Sequence, residues 1–315
     1  MDNKMFFFDL SFYVGVCIGV TSRIIMLNTD QKQYPSHPNI LVTQLVLAFV
    51  ASALGALLVP AIIERSYTSI TFLSLAAEQF RQVRAIRRNT LQNIESSQLV
   101  KRGESLIEEI AKAYEVRNYM CIITSFFTVA IDTILREDFG MNNILSLVIA
   151  GATNLILAFL IKKLLTRKKV GDIADIVQVP ISFVDTSILK VGDLKGITNI
   201  GLLEDRELYL QKAVGIEIIP KNKNYENASI IYNSGQRQAI LYNIYSKLGR
   251  YGDIDEPQYT PIPRKFAERE SILFAYIPLV GDAQDVINAV KNCPVIESTK
   301  GKNLALKNIK IGSIG

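Results

Sequence analysis

The residues of this sequence that could do chemistry lie in its second half. The segment Phe183-Val-Asp185-Thr-Ser187 has the pattern of an aspartic-protease signature: two apolar residues, Asp, Thr and a small residue. That chemistry needs two carboxylates that share a proton, so a second acid must lie beside Asp185. The candidates for the second acid are Asp193, Asp205 and Asp255. The competing interpretation of Asp185 is an ordinary turn aspartate.

A second pattern precedes a helical run. The segment Asn233-Ser-Gly-Gln-Arg-Gln238 offers free backbone N–H groups and a guanidinium, which could hold a phosphate, a nucleotide or a carboxylate. The residues predicted to bind a ligand are Asn233, Gly235, Gln236, Arg237 and Arg264. The alternative is an N-cap with Arg237 bracing a neighbouring loop. Ser234 could act as a nucleophile only with a lysine base such as Lys247, several helical turns away.

The scarcity of histidine and cysteine excludes several mechanisms. The chain has one histidine, His37, and three widely spaced cysteines. A His-dependent nucleophile or a usual structural zinc site therefore cannot form in the second half. The acidic cluster Asp253-Ile-Asp-Glu256 lacks the oxygen spacing of a calcium loop and is expected to pair with nearby basic residues. We predict no metal and no cofactor, and an enzyme here would use carboxylates or a Ser–Lys pair.

The elements that precede this half are apolar runs that predict four membrane-spanning helices. The first run ends near Leu27, and the other three cover Ile40–Ile63, Tyr119–Leu135 and Ile144–Leu165. At about 1.5 Å per residue, the second run is long enough to cross a hydrocarbon core of about 30 Å. A signal peptide is the alternative for the first run, but no small-x-small cleavage site follows it, so a retained span is favoured.

The stretch Glu64 to Asn118 predicts a helical hairpin between spans two and three. Its two polar arms run straight into apolar spans, with a turn near Ser96–Gly103. In the first arm Leu73, Ala77 and Phe80 recur at steps of three and four, which is typical of an amphipathic helix. The hairpin is therefore expected to leave the bilayer as two paired helices.

Basic residues predict the orientation. The segment between spans two and three is rich in Lys and Arg, and span four ends in the sequence KKLLTRKK. The positive-inside rule then places the hairpin and both termini in the cytosol of a multi-pass protein of the cell membrane, in contact with lipid. The net charge of +5 comes with no Lys/Arg block interleaved with aromatic residues, so nucleic-acid binding is not predicted.

From Val170 the pattern changes to that of an α+β domain. Strands are predicted in the runs DIVQVPISFV, SILKV, ITNIGLL, VGIEIIP, ASIIY, SILFAYIPL and PVIES, and helices in NSGQRQAILYNIYSKLG and DAQDVINAVKN. The predicted organisation is residues 1–63 for spans one and two, 64–118 for the hairpin, 119–165 for spans three and four, 170–300 for the cytosolic α+β domain and 301–315 for the tail.

Several blocks, in order, resemble a known family. These blocks are Ala61-Ile-Ile-Glu64, Thr71-Phe-Leu-Ser-Leu-Ala-Ala-Glu-Gln-Phe-Arg81, Ser105-Leu-Ile-Glu-Glu-Ile-Ala111, Asn233-Ser-Gly-Gln-Arg-Gln-Ala-Ile240, Asp255-Glu-Pro257 with Tyr259-Thr-Pro261, and Pro294-Val-Ile-Glu-Ser298. The chain resembles the YIEGIA proteins, membrane proteins of endospore-forming bacteria. The name-giving block is altered, since Ser105 replaces its Tyr and Glu109 its Gly.

The resemblance implies a sporulation-linked membrane protein, and the family is associated with regulated membrane proteolysis and cyclic-dinucleotide signalling. Our first prediction is a regulated, membrane-anchored protease that acts on cytosolic or membrane proteins. The alternative is a non-enzymatic scaffold or signalling receptor whose cytosolic domain binds a soluble protein or a cyclic dinucleotide. Either protein could form a homo-oligomer. A transporter is less favoured, because four spans with few charges offer little pathway unless several copies assemble.

Overall fold

The apolar runs of the first half fold as long helices. The computed structural model describes residues 2–33, 38–95, 100–165, 168–221, 225–251 and 259–296. The first five helices are α1 (Asp2–Gln33), α2 (Pro38–Ile63), α3 (Tyr67–Glu95), α4 (Glu104–Glu137) and α5 (Asn143–Leu165). Among the described residues, four of these helices, all but α3, are long and apolar enough to cross a membrane. The predicted set of four apolar candidate spans is confirmed in this sense.

The chain divides into two compact units. The N-terminal unit contains residues 1–90 and 110–166, and the C-terminal unit contains residues 91–109 and 167–315. The ends of α3 and α4 that meet near residue 100 thus belong to the C-terminal unit. The predicted assignment of residues 64–118 to a separate cytosolic hairpin stays a prediction.

Small residues let the helices of the N-terminal unit approach closely. A Cβ atom on Gly55 of α2 would lie only 2.2 Å from the Ile122 carbonyl oxygen of α4. At the same interface the Ser125 hydroxyl donates to the Ser52 carbonyl oxygen, with an oxygen–oxygen distance of 2.6 Å. Close backbone approach is typical of helices that associate in a membrane, where the hydrophobic effect does not drive helices together.

Side-chain contacts show that α2 and α4 run in one direction and that α1 and α5 run in the opposite direction. In α1, Arg23 donates to Gln44 of α2 at 2.8 Å, while Gln44 donates to the hydroxyl of Tyr114 in α4 at 3.0 Å. At the other end of α4, the Asp132 carboxylate accepts a hydrogen bond from Ser146 of α5 at 2.6 Å. These buried polar groups are costly in an apolar bundle unless they are paired, so their contacts favour one register of the helices.

The path of α3 differs from the prediction. After α2 the chain turns at residues 64–66, where Arg65 has a φ of 53°, and Phe80 of α3 is then buried with Ala48 and Ala51 of α2 and Cys121 of α4. The predicted first arm therefore does not continue α2 outward; it folds back along it. The physical reason is that its amphipathic face finds an apolar surface on α2 and α4 to pack against.

Helices α3 and α4 still form the predicted antiparallel pair. Arg84 lies 3.4 Å from the Glu115 carboxylate, measured from Nη1 to Oε2, and the Arg87 guanidinium lies 5.1 Å from the ring centroid of Tyr114. Higher residue numbers in α3 thus meet lower numbers in α4. The hairpin exists as a helix pair, but its first arm is part of the helix bundle.

The C-terminal unit contains the predicted sheet in antiparallel form. Its strands are β1 (Ala174–Val179), β2 (Ile181–Val184), β3 (Ile188–Val191), β4 (Val214–Pro220), β5 (Arg264–Phe266) and β6 (Ser271–Tyr276). Four strands form one sheet in the order β1-β4-β6-β5, and β2 and β3 form a separate hairpin. The central strands β4 and β6 are buried on both faces, which explains why VGIEIIP and SILFAY are nearly continuous apolar runs.

Helices flank these strands. They are α6 (Val170–Ile173), α7 (Leu203–Lys212), α8 (Tyr225–Tyr232), α9 (Ser234–Leu248) and α10 (Ala283–Lys291). The two predicted helices, α9 and α10, are confirmed with their caps: the Asn233 side chain accepts from the Gly235 N–H, and Gly249 ends α9 with a φ of 69°. Asp282 and Asp285 form a capping box at the start of α10.

Three predicted strands are wrong in the C-terminal unit. Residues 228–232 belong to α8, and residues 197–202 form an irregular segment that leads into α7. Within the described residues, 294–296 contribute only an isolated bridge, Lys169↔Pro294. A short apolar run in the sequence is compatible with either a strand or a buried helical turn. In residues 228–232 the run is helical, and Ile230 and Ile231 are buried against the sheet.

Candidate functional site

An open cleft of about 450 Å³ lies in the C-terminal unit. Its walls are the irregular segment before α7, the first turns of α7 and the segment that leads to β5. The lining residues are Thr198, Asn199, Ile200, Gly201, Leu202, Asp205, Tyr209, Tyr259 and Thr260. The cleft thus combines two phenol rings, one carboxylate and a stretch of exposed backbone. One of the predicted second acids, Asp205, belongs to it.

The polar centre of the cleft is the pair formed by Asp205 and Tyr259. The Tyr259 hydroxyl donates to Oδ1 of Asp205 at 2.6 Å. The ring of Tyr209 packs edge-on against Tyr259 at 5.9 Å between centroids, and the ring of Tyr251 lies 6.1 Å from Tyr259. Lys212 extends the group, since its Nζ lies 4.7 Å from the centroid of Tyr251. Edge-on packing of aromatic rings is a favourable arrangement.

Both phenols of the cleft are held in the protonated form. The hydrogen bond to Asp205, together with burial and the negative charge, raises the pKa of Tyr259 to about 12. Burial, together with the charge of Asp205, raises the pKa of Tyr209 to about 12. At neutral pH these groups can donate hydrogen bonds, and they do not act as bases.

Two arginines predicted to bind a ligand instead hold the wall of the cleft. Arg237 Nη1 donates to the Pro263 carbonyl oxygen at 2.9 Å. Arg264 Nε donates to the Ile197 carbonyl oxygen at 3.1 Å. The segment between Thr260 and Arg264 is therefore fixed from both sides. The Arg237 contact supports the alternative interpretation, in which this side chain braces a neighbouring loop. That loop forms part of the wall of the cleft.

The predicted anion site at the start of α9 is occupied by the protein itself. Asn233 caps the helix, since its side chain accepts from the Gly235 N–H at 2.8 Å. A Cβ atom on Gly235 would lie 2.4 Å from the hydroxyl of Ser105, so the Gly235 backbone packs directly against the Ser105 side chain. Gln236 points into the interior, where it donates to the Pro294 carbonyl at 3.1 Å and accepts from the Ile296 N–H at 2.8 Å. These contacts support the N-cap alternative and make Gln236 a structural residue.

The candidate catalytic acids are not brought together among the described residues. Asp185 lies in the exposed turn between β2 and β3 with a φ of 50°. Asp193 pairs with Arg269 at 2.6 Å, and Asp205 binds Tyr259. Asp255 and the rest of the cluster 253–256 lie outside the described residues.

A Ser–Lys pair is also separated. Ser234 is the first residue of α9 and Lys247 lies in its last turn, which puts them about 20 Å apart along the helix axis. Within the described part of the chain, no group of three or more His, Cys, Asp or Glu side chains could hold a metal ion.

The aromatic residues of the cleft were not predicted from the sequence. Tyr209 lies in α7, a helix that followed a run interpreted as a strand, and Tyr259 was noted only as part of the Tyr259-Thr-Pro261 block. The signal that could have found α7 is the pair Glu204 and Asp205 in its first turn with Lys212 in its last, which complements a helix dipole.

Comparison with known proteins assigns the chain to a family. The family profile described as "YIEGIA protein" matches residues 11–306. The chain belongs to the YIEGIA family. A YIEGIA relative, "Uncharacterized protein YphB" of Bacillus subtilis (strain 168), is 37% identical over 284 residues, covering 90% of this chain and 91% of that protein. No solved structure matches the chain. The match includes the cleft, both units and the altered block at Ser105-Leu-Ile-Glu-Glu-Ile-Ala111.

Proposed function

We propose that this YIEGIA protein is a sporulation-linked receptor or scaffold of the cell membrane whose C-terminal unit binds a soluble protein in the cytosol. The observation that carries the proposal is the open cleft with the Tyr259–Asp205 pair, attached through the same chain to four apolar helices. A cleft of this kind, with a few polar groups among aromatic walls, is the usual form of a binding site.

The chemistry of the cleft favours a ligand that carries hydrogen-bond donors or positive charge. Among the residues that the structure describes, its lining includes the Asp205 carboxylate and no Lys or Arg. A cationic side chain could pair with Asp205 while its aliphatic or planar part packs on Tyr209 and Tyr259. A phosphate would meet the negative charge of Asp205 instead. A peptide segment with an exposed Arg or Lys therefore fits this cleft better than the predicted cyclic dinucleotide does.

The placement in the membrane rests on composition. Basic residues are concentrated before α4 and after α5. Lys101 and Arg102 precede α4, and the run Arg167–Lys169 follows α5. The positive-inside rule favours the cytosol for the C-terminal unit, which follows this run.

A photo-cross-linking experiment tests the proposal. A photoreactive amino acid at Leu202, which lines the cleft and is 68% exposed, should capture a discrete soluble protein in sporulating cells. The matched control is the same amino acid at Leu210 of α7, which is 56% exposed and lies outside the lining. Asp205→Ala should reduce the Leu202 product at least fivefold. Equal capture from both positions, or capture that Asp205→Ala leaves unchanged, would contradict the proposal.

A protease remains the second candidate. The observation that favours it is that α7 contacts the hairpin of Asp185: Arg206, next to Asp205, donates through Nη1 to the Thr186 carbonyl oxygen. Movement of this hairpin toward α7 could bring the two acids together. Under this candidate Asp185→Asn and Asp205→Asn would each stabilise the same cellular protein in pulse-chase experiments. If only Asp205→Asn has an effect, or neither does, the binding function is favoured.

A further inference from the structure

Helix α3 carries an outward-facing row of residues at coiled-coil spacing. The row comprises Thr71, Leu75, Glu78, Gln82, Ala85 and Asn89, at alternating steps of four and three. All six are exposed, on the side opposite Phe80, which packs against α2 and α4. Steps of three and four are the spacing of residues that pack between two helices in a coiled coil. We call these six residues the α3 row.

The α3 row lies at the depth of apolar helices. Phe80 contacts the cluster of Ala48 and Ala51, which lie within the candidate span Leu41–Ile63 of α2. Because α3 starts directly after α2 and runs back along it, Glu78 and Gln82, which flank Phe80, lie near the middle of α2.

Lipid is a poor environment for this face. Elsewhere on the bundle, α2 exposes Val42 and Val46 at comparable depth, with exposed fractions of 64% and 57%. On the α3 row the same depth presents a carboxylate and side-chain amides. Charged and amide groups inside a bilayer are costly unless another polar surface satisfies them.

We propose that the α3 row is the contact surface between two copies of this chain in the membrane. The inference depends on the membrane placement in the proposed function and on α3 crossing the bilayer beside α2 and α4. The charge on this face is balanced within each copy: Glu78 and Arg81 lie one helical turn apart, 2.8 Å from each other, with side chains 55% and 69% exposed. Around a two-fold axis along the bilayer normal, Glu78 faces Glu78 of the other copy, and the Arg81 beside each carboxylate offsets their repulsion.

The polar members of the row fix the register of such a pair. Gln82 and Asn89 are seven residues apart, so they occupy equivalent positions of successive heptads. Amide side chains at this position bond to the same residue of a parallel partner, and they select alignment and number of strands. Leu75, one heptad before Gln82, supplies an apolar position, and Ala85, between Gln82 and Asn89, supplies a close-packing position. In a membrane, amide side chains and small residues are both favourable contacts between helices.

Disulfide cross-linking in membranes tests the interface. The background is full-length Cys17→Ser, because Cys17 is exposed whereas Cys121 and Cys293 are buried. Cysteines are placed singly at Gln82 and Ala85 of the α3 row, at Gln79 on the side of α3 and at Val46 of α2. Oxidation should convert Gln82→Cys and Ala85→Cys to dimers at least fivefold more than Gln79→Cys or Val46→Cys. Equal cross-linking at all positions, or a product that contains a different protein, would overturn the inference.

A second measurement does not depend on oxidation. Two tagged forms of the chain are co-expressed and purified in mild detergent. The side chains of Ala85 and Val46 both point away from the bundle core, so substitutions to Trp at these positions are matched in their effect on packing within one copy. Ala85→Trp, in the α3 row, should reduce co-purification at least fivefold, and Val46→Trp should leave it unchanged. Carbonate extraction of the same membranes separates the two proposals. Release of the protein by carbonate contradicts the membrane placement, whereas a retained protein without α3 contacts contradicts the inference alone.

Discussion

Gln236 shows how one buried side chain can join distant parts of the C-terminal unit. Its amide binds the backbone of Pro294 and Ile296, and its Nε2 lies 3.7 Å from the thiol of Cys293. Burial raises the pKa of Cys293 to about 12, with nearby Lys247 opposing this effect. The thiol is therefore protonated and inaccessible in the folded protein, and its reactivity reports opening of this region.

We predict that Gln236→Leu loosens this region. The substitution keeps most of the volume but leaves two buried backbone groups without their partner, at about 1–3 kcal/mol each. Maleimide labelling of Cys293, followed by peptide mass spectrometry in the full-length protein, should become at least tenfold faster. Gln284→Ala, an exposed change in α10, is the control and should have no effect. Unchanged labelling in Gln236→Leu would show that these hydrogen bonds contribute little.

The Asp205–Tyr259 pair predicts a specific alkaline titration. The folded-state pKa of Tyr259 is raised to about 12 from 10.0, so its contribution to stability is complete below pH 10 and is lost as the pH rises toward 12. Spectra of the wild type minus those of Tyr259→Phe should give a tyrosinate transition near pH 12. Asp205→Asn should move that transition toward pH 10, whereas Asp193→Asn should not. A transition near pH 10 in the wild type would contradict the hydrogen bond.

At the scale of elements, glycines in the bundle differ in what they permit. A Cβ on Gly55 of α2 would meet the Ile122 backbone at 2.2 Å, whereas the nearest atom to a Cβ on Gly151 of α5 lies at 3.6 Å. We predict that Gly55→Ala separates α2 from α4 and costs about 1–3 kcal/mol. Gly151→Ala should be neutral or slightly stabilising because alanine favours helix. Thermal stability in detergent, followed by size-exclusion chromatography, measures both; equal melting would contradict the close α2–α4 packing.

The elements also show what a single sequence can specify. The long apolar helices, α9, α10 and most strands were predicted because length, caps and continuous apolar runs are local signals. The path of α3 was not predicted, since its polar composition indicates an exposed helix. Its place in the bundle comes from tertiary contacts, chiefly the packing of Phe80 on Ala48, Ala51 and Cys121. The cleft was missed for the same reason: Asp205 and Tyr259 are 54 positions apart and meet only in the folded chain.

At the scale of the molecule, the bundle has an odd number of helices if α3 crosses the membrane with the others. The chain would then begin on one side of the bilayer and continue into the C-terminal unit from the other. In that arrangement the two termini would lie on opposite sides, in contrast to the prediction that both are cytosolic. The charge distribution fits the arrangement: the end near Arg65 and Arg136 carries the acids Glu64, Glu137 and Asp138, while the opposite end carries most of the basic residues.

The residue that separates the two topologies is Glu64, at the turn between α2 and α3. In the Cys17→Ser background, a cysteine at Glu64 should react with a membrane-impermeant maleimide added to intact cells if α3 crosses, because the turn then faces outward. If α3 stays in the cytosol as part of a projecting hairpin, the same cysteine should react only after the cells are opened. Asn142→Cys, in the exposed loop before α5, is the control for the outside, and Lys195→Cys, exposed in the C-terminal unit, is the control for the inside. Protection of Glu64→Cys together with labelling of Asn142→Cys would place α3 in the cytosol and restore the four-span arrangement. In that arrangement the charged side chains of α3 would not enter the bilayer, where they are costly.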